Sequence, residues 1–362
     1  MKTPLKEIQT LRRHIIALAS LPETHDPVIS AYFDLTDPVE SQRFLMDVWA
    51  SGVRRTFTGE RRASFESTLA KIRENMTPGL DPGARGLAIF ARSGDYPLLM
   101  VIPLGGTMES SFHSGPLPVI FPLVQTQDRF HRFVAVISTE ESARICEITL
   151  GSVSEELLAT TPGIRERIGR EWTREHYHHQ KRERDRRFLH EKVEIIDRLM
   201  SRRGHNHLIL AGHPRFIKPL REALPKRWQE CIVGEVPRAP NGNDASEVLN
   251  EVIQAFVNAE FAESVSNVER LHEEVRTGGL AVLGIDACLP ALTHNVADML
   301  VISENLDQED REELVRLAST RGISIEVCEE DPLLDDSGGV GCLLRYKPDY
   351  AMKTRTGAKQ TG

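Results

Sequence analysis

The sequence has no apolar run of the length that a membrane-spanning helix needs, about 20 residues. No membrane association is therefore expected. Its five cysteines are far apart and form no Cys-x-x-Cys pair. This spacing argues against a zinc ribbon or a disulfide framework and favours the reduced thiols of a cytoplasmic protein. The first residues lack the apolar core of a secretory signal, so a cytoplasmic location is expected.

Several signatures of self-contained enzymes are also missing. The chain has no Gly-x-x-x-x-Gly-Lys-Ser/Thr loop, no Gly-x-Gly-x-x-Gly fingerprint and no Gly-x-Ser-x-Gly turn. This argues against a P-loop nucleotidase, a dinucleotide-dependent dehydrogenase and an α/β-hydrolase. His176, His178, His179 and His190 have no cysteine or carboxylate at a recognisable ligand spacing. No metal site and no cofactor are predicted.

The composition is that of a globular protein with more than one core. The 362 residues are 40% hydrophobic and 27% charged, and the net charge is −8. The charge is unevenly distributed, because residues 132–232 carry 20 Lys or Arg and 15 Asp or Glu. A basic middle between acidic flanks predicts one module that faces nucleic acid, held by modules that face proteins.

Hydrophobic patterning predicts an α/β protein of three domains. In the first domain, apolar residues at three- and four-residue spacing predict a helix from Leu5 to Leu18. Strands are predicted at 28–33, 86–91, 97–104 and 118–124, and helices near 39–55 and 60–75. The predicted boundaries are 1–127 for this mixed α/β N-terminal domain, 128–237 for the central domain, 244–350 for the C-terminal domain and 351–362 for a disordered basic tail.

The central domain is predicted to open with a strand pair at 132–138 and 143–150, followed by a polar, helix-prone stretch from 162 to 202. A buried strand at 208–212, a helix at 216–224 and a strand at 229–235 follow. The C-terminal domain is predicted to begin with a broken or bent helix at 246–276. Strands at 282–284, 299–302, 323–327 and 341–346 alternate with helices, which indicates a mostly parallel sheet.

Three stretches resemble the archaeal and eukaryotic class I translation termination factors and Pelota. They read LILAGHPRF at 208–216, LGIDACLPAL at 283–292 and ADMLVISENL at 297–306, and together they extend the resemblance over about the last 230 residues. The run at 27–34 is similar to the opening of the bacterial members of this superfamily. Some of those members are ribosome hibernation factors that occupy the decoding (A) site and associate with elongation factor Tu.

The resemblance implies a ribonuclease-H-like central domain and an L7Ae-like α/β/α C-terminal domain. The central domain would approach the peptidyl-transferase centre, and the C-terminal domain would contact a GTPase or the base of the large-subunit stalk. The expected partners are the 70S ribosome, through rRNA near the A site and the peptidyl-transferase centre, and elongation factor Tu or another translational GTPase. The protein is expected to be a monomer.

The catalytic Gly-Gly-Gln of the termination factors has no intact counterpart. The chain reads His178-His179-Gln180 at that position, and none of its three Gly-Gly pairs is followed by Gln. Two glycines let the backbone approach the peptidyl-tRNA ester in conformations that a Cβ blocks. We therefore predict no catalytic residue and no enzymatic activity at this degenerate position.

The same segment is rich in cations and stacking side chains. Between Arg165 and Arg187 there are nine cations and five acids. Tyr177 and the two histidines can stack on unpaired bases. The alternative interpretation is a solvated surface in which Glu183 pairs with Arg187. The predicted rRNA-binding residues are Arg167, Arg170, Arg174, Tyr177, His178, His179, Gln180, Lys181, Arg182, Arg184, Arg186 and Arg187.

The C-terminal domain carries an acidic segment that would repel phosphate. It is predicted either to contact a protein partner or to be only a soluble face. The predicted partner-binding residues are Glu304, Asp307, Glu309, Asp310, Glu312 and Glu313.

The leading hypothesis is a ribosome-binding factor that occupies the A site and keeps an idle ribosome inactive without peptide hydrolysis. A second hypothesis is a peptidyl-tRNA hydrolase for termination or rescue, in which Gln180 orients the attacking water. A third is a scaffold that acts away from the ribosome through its acidic domain.

Overall fold

The computed structural model describes residues 5–76, 84–94, 96–129, 132–149, 152–160, 174–203, 205–237, 245–329 and 331–347. These residues form three β-sheets with helices packed on them, so the fold class is α/β as predicted. The chain divides into two compact units, one built on residues 130–260 and the other on residues 9–129 together with 261–362. Among the described helices, none has both the length and the apolar character for crossing a bilayer. The predicted tail at 351–362 lies outside the described residues.

The first sheet is antiparallel throughout and lies in the order β3-β2-β1-β4. Phe65 and Leu69 pack against Leu87 and Ile89 on one of its faces, so α3 covers that face. The elements of this part are α1 (Leu5–Ala19), β1 (Val28–Asp34), α2 (Val39–Arg54), α3 (Gly59–Asn75), β2 (Gly86–Arg92), β3 (Leu98–Leu104), β4 (Ser111–Gly115) and α4 (Phe121–Arg129).

The strand predicted at 118–124 is wrong, because the chain there enters α4. A short apolar run cannot be assigned to a strand or a helix from periodicity alone. Pro122 lies in the first helical turn, where its missing N–H costs nothing. Two backbone N–H groups at the helix start find a distant carboxylate, that of Glu312. This tertiary contact satisfies donors that the helix itself leaves free.

The central sheet has five strands in the order β7-β6-β5-β8-β9. β5 is parallel to β8, β8 is parallel to β9, and β6 is antiparallel to both of its neighbours. This is the strand order of ribonuclease-H-like sheets. The elements are β5 (Phe133–Ser138), β6 (Ser142–Thr149), β7 (Ser152–Thr160), α5 (Arg174–Arg203), β8 (Leu208–Gly212), α6 (Pro214–Ala223), α7 (Lys226–Gln229), β9 (Ile232–Pro237) and α8 (Ala245–Arg276).

Alternation along β5 separates the two faces of this sheet. Val134 and Val136 pack with residues of α5 and α6, whereas Phe133 and Ala135 pack with the first half of α8. At the end of β8, Gly212 has φ +145°, and a Cβ there would lie 2.3 Å from the carbonyl oxygen of Ser138. Glycine is therefore required where the two parallel strands end side by side.

Two elements of this part of the chain, β7 and α8, differ from the prediction. β7 was not predicted, because its alternation is weak between polar neighbours. α5 (Arg174–Arg203) lies within the helix-prone stretch predicted from 162 to 202, apart from its last residue. α8 runs for 32 residues without the expected break.

The third sheet lies in the order β10-β13-β11-β12. The expectation of a mostly parallel sheet is wrong, because only β11 and β12 are parallel. The last strand inserts between β10 and β11 and is antiparallel to both, a direction that periodicity does not specify. The elements are β10 (Ala281–Leu283), α9 (Ile285–Thr293), β11 (Ala297–Ser303), α10 (Gln308–Arg321), β12 (Ser324–Cys328), α11 (Pro332–Asp336) and β13 (Val340–Leu344).

The third sheet is the middle of three layers. Val268 and Leu271 in the second half of α8 pack with Leu334 of α11 on one face. α9 and α10 pack against each other and against the strands on the other face. This arrangement agrees with the expected α/β/α C-terminal domain.

Residues of α10 also contact the N-terminal part of the same compact unit. The Glu312 carboxylate accepts hydrogen bonds from the backbone N–H groups of Ile120 and Phe121, both at 2.8 Å. The Arg316 guanidinium donates to the carbonyl oxygens of Leu18 (3.0 Å) and Pro118 (2.7 Å). One turn of α10 thus fixes the start of α4 and the end of α1.

Candidate nucleic-acid interface

Helix α5 is held on the central sheet by one apolar face. Phe188, Ile196 and Leu199 are buried at helical spacing, and Ile196 and Leu199 contribute to the core with β5 and β8. The buried face is specified by the sequence, since these residues are eight and three positions apart and so share one side of a helix. The helix therefore presents its remaining faces in a fixed orientation.

A second face of α5 carries four exposed cationic or titratable side chains. His179, Arg182, Arg186 and His190 lie at i, i+3, i+7 and i+11, so they form one line along the helix, which we call the α5 stripe. Within the part of the chain that the structure describes, Arg182 and Arg186 form no ion pair. The charge of Arg186 contributes to the lowered pKa of Glu183, but without an ion pair. Both guanidinium groups can therefore bind an external anion.

The other predicted cations of this helix whose side chains the structure describes have acidic partners. Lys181 lies 3.3 Å from Glu140, Arg184 lies 3.3 Å from Asp185, and Arg187 lies 2.5 Å from Glu183. The hydrogen bond from Arg187 lowers the pKa of the Glu183 carboxyl. Such exposed pairs contribute little stability and can open when a stronger anion arrives.

The backbone at His178-His179-Gln180 belongs to the first turns of α5. Within the described ranges, Asn295 is the one non-glycine residue with positive φ, at 57°. The histidine pair therefore sits in right-handed helix, a conformation that any side chain tolerates. The remaining predicted residues fall outside the described part of the chain: Arg167 and Arg170 entirely, and Arg174, Tyr177, His178 and Gln180 in their side chains.

Sequence patterning did not identify two buried polar groups in the central domain. The Lys192 ammonium lies on the buried side of α5, donates to Ser138 Oγ at 2.8 Å and lies 3.9 Å from the centre of the Phe188 ring. Burial lowers the pKa of Lys192 to about 8. His205 Nε2 lies 2.9 Å from Glu147 Oε1, and both side chains are fully buried. The only available signal for Lys192 was its position four residues from Phe188 and Ile196.

The predicted acidic residues of the C-terminal domain occupy different environments. Asp307 caps α10 by accepting a hydrogen bond from Glu309 N at 3.1 Å. Glu309 and Glu313 are exposed and Asp310 is half-buried. Glu304 contacts Gln125 and Arg129. Glu312 points inward, and burial raises the pKa of its carboxyl against the opposing effect of its two backbone donors and neighbouring arginines.

The acidic residues that face solvent on α10 are therefore fewer than composition suggests. Asp307, Glu309 and Glu313 remain exposed at the helix start and along one side. Glu304 and Glu312 already have partners within the chain. A partner surface on α10 would have to use Asp307, Glu309 and Glu313.

Comparison with known proteins gives a match to the central domain. Residues 118–257 match the family described as "Bacterial archaeo-eukaryotic release factor family 10". The matched range begins just before α4 and ends in the first half of α8. It therefore contains the whole central sheet, α5 and the α5 stripe.

Two archaeal relatives are described as protein pelota homologues. The relative from Pyrococcus furiosus is 23% identical over 47% of this chain and 52% of its own length. The relative from Ignicoccus hospitalis is 29% identical over 44% of this chain and 49% of its own length. This chain thus spans about half the length of these relatives.

A solved structure of S. cerevisiae Dom34 is similar over 94% of both chains, at 11% sequence identity and a TM-score of 0.44. That protein is described as a translation termination-like factor involved in RNA quality control pathways and interacting with Hbs1.

Proposed function

We propose that this chain is a ribosome-binding translation factor that acts without peptide hydrolysis, because residues 118–257 match a bacterial archaeo-eukaryotic release factor family and the chain is similar to archaeal pelota homologues. It occupies the A site of the 70S ribosome and directs α5 toward rRNA near the peptidyl-transferase centre. In this position it keeps an idle ribosome inactive, as a hibernation factor does. The observation that carries the proposal is the α5 stripe with its two unpaired arginines.

Charge and geometry support RNA as the ligand of this helix. Arg182 and Arg186 are one helical turn apart and exposed, so they can contact neighbouring phosphates of one strand. The imidazoles of His179 and His190 extend the same line and can stack on unpaired bases. Phosphate contacts of this kind make the affinity strongly dependent on salt.

The absence of hydrolysis is inferred from the helix at the degenerate position. A segment in right-handed helix has its backbone N–H and C=O groups engaged within the helix, apart from those of the first turn. It lacks the open glycine backbone that a close approach to the peptidyl-tRNA ester requires.

Any partner GTPase, elongation factor Tu included, would contact the exposed acids Asp307, Glu309 and Glu313 of α10.

The proposal is tested by cosedimentation with 70S ribosomes. The double charge reversal Arg182→Glu and Arg186→Glu is expected to weaken binding by about tenfold or more at physiological salt and to reduce the salt slope by about two. The matched control reverses Arg43 and Arg62, which are exposed on α2 and α3 and give the same change in net charge. Equal affinity of the α5 variant and the wild type would refute the proposed role of the stripe.

A peptide-release assay on ribosomes loaded with peptidyl-tRNA tests the second part. No release above background is expected. Release by the wild type that is lost in Gln180→Ala would instead establish a hydrolase.

A further inference from the structure

A groove lies beside the α5 stripe, between α5 and the end of α6. It has a volume of about 500 Å³ and is lined by Leu189 and Val193 of α5 and by Ala223 of α6, with Arg186, Arg187 and His190 at its rim. Its size falls within the range of about 300–1,000 Å³ that small-ligand sites occupy. Apolar side chains thus provide the floor, and cationic or titratable ones provide the rim.

We propose that this groove binds one unpaired nucleotide of RNA, an inference that rests on the proposed function of the α5 stripe. The base occupies the groove in contact with its apolar floor. One face of the base stacks on the His190 ring or on an arginine guanidinium. The adjoining phosphate lies at Arg186. No base-specific hydrogen bond is required, so the site accepts any base that is free of a duplex.

The chemistry of the lining favours a nucleotide. RNA-binding proteins stack splayed bases on histidine rings and arginine guanidinium planes, and both groups are present at this rim. Arg186 belongs both to the stripe and to the groove, so a strand that follows the stripe reaches the groove without a break. This continuity identifies the occupant as part of the same polyanion.

Acidic groups near the groove do not cancel its positive charge. Glu183 also lines the groove, but its carboxylate is bound to Arg187 at 2.5 Å. His190 Nε2 lies 3.4 Å from the Glu194 carboxylate. Arg186 forms no ion pair in the described chain, although its charge contributes to the lowered pKa of Glu183. Its guanidinium can therefore bind a phosphodiester.

The test fills the groove without changing charge. Ala223→Phe replaces an exposed alanine at the end of α6, and Ala63→Phe makes the same change at an exposed position of α3 as the control. The probes are a single-stranded 12-mer RNA, its duplex form and the matching single-stranded DNA. Ala223→Phe is expected to weaken single-stranded RNA and ribosome binding by about tenfold, the effect of losing one stacked base, whereas Ala63→Phe changes neither.

Crosslinking of the unmodified protein gives a second readout that does not depend on folding of a variant. A 12-mer that contains 4-thiouridine is expected to crosslink to peptides that carry residues 186–193 or Ala223. Crosslinks that fall only elsewhere would overturn the inference.

The outcomes separate the groove from the proposed function. If Ala223→Phe binds ribosomes and the 12-mer like the wild type while the Arg182 and Arg186 reversal weakens both, the groove is not a nucleotide site and the stripe remains. If neither change weakens binding, the proposed function also fails. Tighter binding of the duplex than of the single strand by the protein would assign the groove to another ligand. Stronger competition for the groove by a polyglutamate peptide than by RNA would do the same.

Discussion

Glu312→Ala is expected to destabilise the contact between α10 and the start of α4. In the wild type, the Glu312 carboxylate accepts two backbone hydrogen bonds at 2.8 Å, from Ile120 and Phe121. Ile120 immediately precedes α4 and Phe121 is its first residue, so no helical carbonyl is available to either N–H group. Alanine leaves both N–H groups without this acceptor.

The size of the effect follows from these two donors. A part-buried N–H that loses its partner costs about 1–3 kcal/mol, so two such groups cost about 2–6 kcal/mol. Burial of the Glu312 carboxylate is itself unfavourable and raises its pKa in the folded protein. The alanine variant no longer has this desolvation cost, which reduces the net loss of stability. We expect the free energy of unfolding to fall by about 2–4 kcal/mol.

Amide hydrogen exchange of α4 and α10 measures this effect locally, which is preferable because a chain of two compact units does not unfold in one step. Faster exchange in both helices is expected for Glu312→Ala. Glu313→Ala removes the same group from the neighbouring, exposed position and is expected to change stability by less than about 0.5 kcal/mol. Equal exchange in the two variants would show that the carboxylate does not hold this contact.

The remaining predictions concern the buried polar groups. Lys192→Met removes an ammonium whose burial is costly and is expected to stabilise the central domain at pH 7 by about 1–2 kcal/mol after loss of the hydrogen bond to Ser138. Between pH 8 and 10.5 the unfolded wild type holds the Lys192 proton more tightly than the folded protein does. The free energy of unfolding of the wild type should therefore increase with pH, relative to that of the variant. Urea midpoints of the two proteins that change in parallel across this window would contradict the lowered pKa. His205→Ala leaves the Glu147 carboxylate buried beside a cavity and is expected to cost about 3–5 kcal/mol in urea denaturation, whereas the exposed His190→Ala should cost under about 0.5 kcal/mol.

Local sequence patterns correctly predict elements whose hydrophobic pattern is long enough to distinguish a helix from a strand. The helix predicted from Leu5 to Leu18 is observed as α1, and the strand predicted at 28–33 is observed as β1. The run at 118–124 was misassigned because a short apolar run does not distinguish strand from helix, and the acceptor for its first N–H groups, Glu312, is almost 200 residues away. Strand direction in the third sheet was misassigned for a related reason, since pairing of β13 between β10 and β11 is a property of the tertiary fold.

A count of charges predicts part of the candidate site but not all of it. Nine cations between Arg165 and Arg187 predict an RNA-binding segment, but they do not tell which cations are available. Helical spacing gives part of the answer, because Glu183 precedes Arg187 by four residues and pairs with it. Arg182 and Arg186 have no acid four residues before them at a described position, and both face solvent.

The same spacing rule separates the acids of α10. Glu312 and Arg316 lie at i and i+4 beside the buried residues Leu314 and Val315, so both reach the N-terminal part of the unit. Glu309 and Glu313 lie at i and i+4 on a face without buried neighbours and stay in water. A charged residue next to the apolar stripe of a helix is thus committed to the chain itself, and one distant from that stripe remains for a partner. The α5 stripe and the exposed acids Asp307, Glu309 and Glu313 of α10 are therefore the two charged surfaces that we propose as binding surfaces.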